Sequence, residues 1–293
     1  PLDFITLYPI LFGLMGSYFY IKEVIKMGYN TTGQSHRNGI KNEKNSKTWL
    51  LNNNNKHNVP FLNNIKEVKK KGGTRSKDDL EIIYNSGETL GISAKNRSKD
   101  GATHDWVNSS ALSILQCKTL NQVRNLQQSI RNLPLNQRES HKSHFTSFRK
   151  QKAADFIDNL SHTQINDLLD EVFSKISNQK IMVNDKKVGN IQFYDGHNHP
   201  IYGYINDPKW KFVAVRGKGK ESAKLYAVSK SNSQEVDLNL RLRQVTNNGD
   251  SAAIGLNEGT DKNQNSSLVI KIQQENLENL YAQLQAKNKL ISF

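Results

Sequence analysis

An aspartate and a lysine stand at the two ends of a predicted β-hairpin, and this pair could act on a phosphate ester. Segments 79–84 and 90–95 are rich in strand-forming residues, and the five residues between them have turn composition. Because strand side chains alternate between faces, pairing the apolar faces places Asp79 and Lys95 on the same side of the sheet. A carboxylate can bind Mg²⁺, and a nearby lysine can orient a water or stabilise charge on the phosphate. The alternative is an ordinary surface hairpin with a weak ion pair.

Two neighbouring carboxylates are alternatives to Asp79, and the same alternation of faces applies to them. Asp78 falls on the apolar side of the strand, so Asp79 is the better functional candidate. Glu81 shares the polar face with Asp79 and is a second candidate ligand. The alternative for Glu81 is a solvated strand carboxylate.

The composition favours a polyanionic partner. The chain has 293 residues, with 41 Lys and Arg against 27 Asp and Glu, which gives a formal net charge of +14. Lys and Arg release counterions when they neutralise phosphates. A single Cys excludes a disulfide framework and a Cys-based zinc site. The sequence also shows no collagen repeat, heptad array or series of membrane spans.

The amino end is an apolar leader, which we assign to residues 1–27. Residues 4–21 carry no charge, and this length is sufficient for one membrane-spanning helix. Basic residues follow the apolar stretch instead of preceding it, which disfavours a signal peptide. We expect the leader to be translated sequence upstream of a true start at Met27, or the tail of another gene product. The alternative is a single membrane anchor.

Periodicity and turn signals give a coarse order of elements. Helices are predicted over 38–53, 106–115, 120–133, 143–160, 162–176 and 273–290, with Ser161 as an N-cap. Besides the hairpin, strands are predicted over 65–68, 210–216, 223–229, 235–246 and 267–272. The change of texture near residue 180 suggests a helix-containing core over 28–180 and a β-rich C-terminal part over 181–293.

Three short blocks of this chain resemble a known nuclease family. They are SKDDL at 76–80, GISAK at 91–95 and NGIKNE at 38–43. The blocks resemble PD-(D/E)xK nucleases, and more narrowly type II restriction endonucleases whose hairpin reads D-hydrophobic followed by G-I-S-x-K. The resemblance covers residues 38–110, about a quarter of the chain. It implies an α/β fold in which helices flank a mixed sheet. The β-rich C-terminal part would then recognise the DNA.

The resemblance also implies roles for four residues. Glu43 and Asp79 would bind Mg²⁺, and Lys95 would be the catalytic lysine. Ser93 occupies the position two residues before the lysine, where the family usually has Asp or Glu. A neutral hydroxyl is a weak Mg²⁺ ligand, so Glu43 would have to replace the missing charge.

The implied activity is Mg²⁺-dependent hydrolysis of double-stranded DNA at a short specific sequence. A cognate DNA methyltransferase would protect the host, the compartment would be a prokaryotic cytoplasm, and a homodimer is one assembly that such an enzyme could adopt. The alternatives are a PD-(D/E)xK nuclease of repair or mobile elements and a non-catalytic basic DNA-binding protein. The expected DNA contacts are Lys70, Lys71, Arg75, Arg97, Arg241 and Arg243.

Two further motifs match nuclease or phosphate sites only locally. His197-Asn198-His199 resembles the His-Asn-His nucleases, but a turn or a DNA-contacting loop is the better interpretation. Segment 217–220, Gly-Lys-Gly-Lys, lacks the spacing of a phosphate-binding loop and is interpreted as a basic turn. Most of the basic residues, which include those of the helical region such as Arg149, are expected to contact phosphates.

Overall fold

A computed structural model describes residues 31–71, 78–97, 104–108, 118–246, 249–256 and 268–293. The predicted leader and Arg75 lie outside these ranges. Residues 42–293 form one compact unit, and the described part of the preceding unit is the helical segment 31–41. Within the described ranges, no helix has the length and apolar character needed to cross a membrane.

The described residues contain eleven strands, which are numbered in chain order. They are β1 (Ile65–Lys70), β2 (Leu80–Tyr84), β3 (Thr89–Arg97), β4 (His104–Asn108), β5 (Lys180–Asp185), β6 (Asn190–Asp195), β7 (Trp210–Arg216), β8 (Ser222–Ser229), β9 (Glu235–Thr246), β10 (Leu268–Gln274) and β11 (Ile291–Ser292). The hairpin and the strands β7 to β10 agree with the predicted segments to within two residues.

The same ranges contain eight α-helices. They are α1 (Thr31–Asn52), α2 (Lys118–Arg131), α3 (Leu135–Arg138), α4 (Lys142–Asp158), α5 (His162–Ile176), α6 (Tyr202–Ile205), α7 (Gly249–Ala253) and α8 (Leu277–Ala286), with short 3-10 turns at Pro60–Leu62, Glu139–His141 and Gly196–Asn198. The predicted cap of α5 is confirmed: the Ser161 hydroxyl accepts from the Gln164 amide while the Gln164 side chain accepts from the Ser161 amide. This reciprocal arrangement satisfies two amides of the first turn.

The strands form two sheets. The first sheet is mixed, in the order β1-β2-β3-β5-β6-β11, and its parallel pair is β3–β5. The second sheet is antiparallel, in the order β4-β10-β9-β8-β7. The molecule is therefore mixed α/β. The predicted helix over 106–115 is wrong in its described part, because residues 106–108 pair with β10 as an edge strand. A short apolar run does not distinguish the two structures by periodicity.

Two apolar clusters cover the faces of the first sheet. The smaller cluster packs Leu50 of α1 against Leu80, Ile82 and Ile92, among other buried residues. The larger cluster joins Ile181 and other residues of the opposite face to the helices α2, α4, α5 and α8 and to the inner face of the second sheet. The β-rich C-terminal part thus contributes strands to both sheets, and the pairing of β3 with β5 crosses residue 180.

Candidate active site

The β2–β3 hairpin has the predicted pairing of apolar faces. Leu80 lies opposite Ile92, and Ile82 lies opposite Leu90. Leu80, Ile82 and Ile92 are buried on the side of the sheet that α1 covers. Because side chains alternate along a strand, Ser93 and Lys95 belong to the other face.

Asp79 is held in place by both its backbone and its side chain. Its amide donates to the Ile92 carbonyl at 2.9 Å, and its carbonyl accepts from the Lys71 amide at 3.1 Å. Its carboxylate oxygen Oδ2 accepts from the Ala94 amide at 2.7 Å and from the Ser93 hydroxyl at 3.3 Å. The carboxylate therefore has a fixed orientation at the start of β2.

The electrostatic surroundings of Asp79 bring together three of the predicted site residues. Burial raises the pKa of Asp79 above its ordinary value, and the negative charge of Glu43 acts in the same direction. The Lys95 ammonium and the Ala94 amide oppose the rise in pKa without cancelling it. Glu43, Asp79 and Lys95 are thus close enough to interact through their charges, although α1 and the hairpin are far apart in sequence.

Two of the predicted DNA-binding lysines are bound to carboxylates at this site. The Lys70 ammonium lies 2.6 Å from Glu43 Oε2, and the Lys71 ammonium lies 3.0 Å from Glu81 Oε1. The lysine side chains are 51% and 42% exposed, whereas Glu43 and Glu81 are 20% and 19% exposed. The cations therefore face solvent while the carboxylates lie deeper. Exposed ammonium groups of this kind can leave a carboxylate for a phosphate at small cost.

Asp78 belongs to the site, although the strand alternation assigned it to the apolar side. A Cβ placed on Gly91 would lie only 2.4 Å from Asp78 Oδ1, so the Asp78 carboxylate sits directly over this glycine. The same oxygen accepts from the Gln179 side-chain amide at 2.6 Å. The available sequence signal was Gly91 itself, since a glycine within a strand often marks a close approach.

The carboxylates of Asp79 and Glu43 are a donor set that suits Mg²⁺. Both offer hard oxygen atoms, and Mg²⁺ is commonly held by one or two carboxylates with water in its other positions. A bound cation would also offset the burial of Asp79 and the nearby Glu43 charge, both of which raise the Asp79 pKa. Ser93 acts as a donor to Asp79 and does not replace the carboxylate usual in the family. Among the described residues, no group of three or more His, Cys, Asp or Glu side chains forms a metal cluster.

The predicted DNA-binding arginines occupy two different environments. Arg97 is 6% exposed, and its guanidinium donates to Asp185 Oδ2 at 2.9 Å. It therefore forms a buried ion pair with Asp185, and its other terminal nitrogen contacts the exposed Glu278 at 3.2 Å. Arg241 and Arg243 lie on the outer face of the second sheet, opposite buried leucines of the same strand, as predicted. Arg241 is 2.7 Å from Glu275.

Arg149 is not a surface phosphate contact, contrary to the sequence prediction. The residue is 4% exposed. Its guanidinium binds the carboxylates of Asp250 and Glu221 at 2.7 Å and 2.8 Å and donates to the Gln244 carbonyl. Arg149 thus ties α4 to the second sheet and α7. The sequence shows that Arg149 is basic, but it does not show that Arg149 is buried.

The His-Asn-His segment lies at a 3-10 turn, in which His197 is exposed and His199 is buried. His199 is 4% exposed, and its Nε2 is 2.9 Å from the Gln274 side-chain oxygen. Its Nδ1 accepts from the Ile201 amide at 3.2 Å. Burial lowers the pKa of His199 to about 4, so the ring is neutral at physiological pH. The prediction of a turn is confirmed, whereas a DNA-contacting role for His199 is excluded by its burial.

No family model, curated protein or solved structure matches this chain.

Proposed function

We propose that this protein is a metal-dependent endonuclease of the type II restriction class, which hydrolyses phosphodiester bonds in double-stranded DNA. The observation that carries the proposal is the Asp79 carboxylate. The Ala94 amide fixes its orientation, and Glu43 and Lys95 lie within range of its charge. A mixed sheet flanked by helices surrounds the hairpin, as the resemblance to PD-(D/E)xK nucleases implies.

Each side chain has a role that follows from its chemistry. Asp79 and Glu43 would hold Mg²⁺, which when bound polarises the phosphate and lowers the pKa of a water molecule. The Ala94 amide and the Ser93 hydroxyl keep one Asp79 oxygen in place, so that the carboxylate loses no orientation when substrate arrives. Lys95 orients the attacking water and stabilises the negative charge that develops on the phosphate.

The DNA backbone would be drawn to the site by the lysines at the end of β1. Lys70 and Lys71 are about half exposed, and both lie beside carboxylates of the candidate site. A net charge of +14 gives the chain a general attraction for polyanions. These contacts carry no sequence information, so they position the duplex without selecting a site.

A non-catalytic DNA-binding protein is the second candidate function, and two observations favour it. Ser93 stands in the position usually held by a carboxylate, and it donates a hydrogen bond to Asp79. Glu43 is already neutralised by Lys70. A nuclease of repair or mobile elements differs from the leading proposal only in its substrate preference.

Digestion of an unmodified plasmid with Mg²⁺ tests the proposal and separates the alternatives. Discrete bands support a site-specific enzyme, a smear supports a nuclease of other specificity, and salt-sensitive binding without cleavage supports the non-catalytic protein. Asp79→Asn and Lys95→Met should each remove cleavage. Glu88→Gln is the matched control, because Glu88 is an exposed carboxylate in the turn of the same hairpin. Cleavage at the parent rate by Asp79→Asn and Lys95→Met would show that the assigned site is wrong.

A further inference from the structure

A pocket of about 300 Å³ lies beside the β7–β8 turn of the second sheet. Strand pairing explains its position: Val215 lies opposite Lys224, and Lys224 lies opposite Arg241, so three adjacent strands contribute to one row. This row is on the outer face of the sheet, because Leu225 and Leu240 of the same strands are buried on the inner face. The charged and aromatic lining residues are Arg216, Lys218, Lys224, Arg241 and Tyr226.

The lining of the pocket contains four cations and no carboxylate. Three of the cations are held from outside the lining. Arg216 binds Asp158 at 2.7 Å, Lys224 binds Asp237 at 3.0 Å, and Arg241 binds Glu275 at 2.7 Å. The Lys224 and Arg241 pairs are single and partly exposed, so they orient these two cations without strongly retaining them. Arg216 holds Asp158 through two hydrogen bonds on the opposite face of β7.

Lys218 differs from the other cations of the pocket. It belongs to the exposed Gly-Lys-Gly-Lys turn that joins β7 to β8, and no carboxylate pairs with it in the part of the chain that the structure describes. The flanking Gly217 has no neighbour within 4 Å of the position that a Cβ would occupy. The turn is therefore open to a ligand, and its lysine is available to an anion.

We propose that this pocket binds a phosphate group of the DNA backbone. The Arg241 guanidinium matches the oxygen geometry of a phosphate, and Lys218 and Lys224 add point charges. Tyr226 and Val215 add apolar surface to the lining, against which the adjoining sugar can pack. The inference rests on the proposed function for the choice of DNA as the source of the phosphate, and it assigns DNA contacts to the turn beside the second sheet.

Binding of a short fluorescent duplex, followed by anisotropy at several salt concentrations, tests the pocket. EDTA is present throughout, so that binding is measured without cleavage. Loss of one phosphate contact should reduce the slope of log K against log salt by about 0.9. Lys218→Ala is therefore expected to weaken binding about eightfold at 0.1 M salt. Arg241→Gln should weaken binding further, because it also leaves Glu275 without its cation.

Lys209→Ala is the matched control, because Lys209 is an exposed lysine at the opposite end of β7, outside the pocket. An unchanged affinity and slope for both Lys218→Ala and Arg241→Gln would overturn the assignment. If the parent protein does not bind the duplex, the pocket is tested with inorganic phosphate instead. The NMR signals of residues 217–219 then report binding during the titration. Phosphate binding that is lost in Lys218→Ala would support the pocket as a site for free phosphate. The same result would reject the proposed function, because the protein would not bind DNA. Absence of both forms of binding would reject the two together.

Discussion

Replacement of Arg97 by methionine should destabilise the fold without weakening DNA binding. The Arg97 and Asp185 side chains are 7% and 0% exposed, and they form a direct pair at 2.9 Å. The other Asp185 oxygen accepts from the amides of Lys187 and Val188 at 2.9 Å and 3.3 Å. Removing the guanidinium would therefore leave a fully buried carboxylate with backbone donors but no cation.

The expected loss follows from the burial of this pair. Breaking a buried ion pair by removing one partner costs about 3–5 kcal/mol of unfolding free energy, because the remaining charge is uncompensated. For a chain of this size the loss corresponds to a fall in Tm of roughly 5–8 °C. Arg97 also pairs with Glu278 at 3.2 Å, but Glu278 is 65% exposed, so Glu278→Gln should leave the stability close to that of the parent.

Urea denaturation followed by circular dichroism measures these differences. The double variant Arg97→Met with Asp185→Asn should recover part of the stability lost in Arg97→Met, since it removes the buried charge as well. Duplex affinity of the folded Arg97→Met protein should equal that of the parent. A stability loss below about 1 kcal/mol, together with a clear loss of DNA affinity, would refute the assignment of Arg97 to the interior.

Two further predictions concern the candidate site. The pKa of Asp79 in the folded protein lies above its ordinary value of 3.8. The folded protein therefore binds the carboxyl proton more tightly than the unfolded chain does, and the free energy of unfolding falls as the pH rises from the unfolded to the folded pKa. Asp79→Asn should therefore have a higher Tm than the parent at pH values above the folded pKa of Asp79. This difference in Tm should vanish at pH values below 3.8, where the parent carboxyl is protonated in both states. A constant difference across a pH series of thermal melts would contradict this prediction. Gly91→Ala should cost about 1–3 kcal/mol in urea denaturation, because the added Cβ displaces the Asp78 carboxylate from Gln179. Gly203→Ala, where no atom lies within 4 Å of the new Cβ, is its control, and equal stabilities for the two variants would count against the close packing at Gly91.

Local sequence signals were sufficient for the hairpin and for several other elements. The alternation of Leu80 and Ile82 with charged residues predicted both the strand and its buried face. Helix α5 begins and ends at the predicted residues, since Ser161 provides a cap that acts over only three positions. These features depend on neighbours within one or two turns of chain, so the sequence contains the whole cause.

The structure differs from the sequence-based predictions where the conformation of a segment depends on a partner far away in the chain. Residues 106–108 form a strand because β10 pairs with them. Asp78 lies over Gly91 because the side chain of Gln179, which is 101 residues away, holds it there. The parallel alignment of β3 with β5 likewise joins segments that no local pattern connects.

The sequence by itself determined that the chain is strongly basic and that Asp79 and Lys95 belong to one hairpin face. Only the tertiary structure decided which charges are available to a ligand. Arg97 and Arg149 pair with carboxylates inside the fold, whereas Lys218 is exposed at a turn. The physical reason is that the free energy of a charge depends on its solvent exposure and on its partner, and both are set by contacts between residues far apart in sequence.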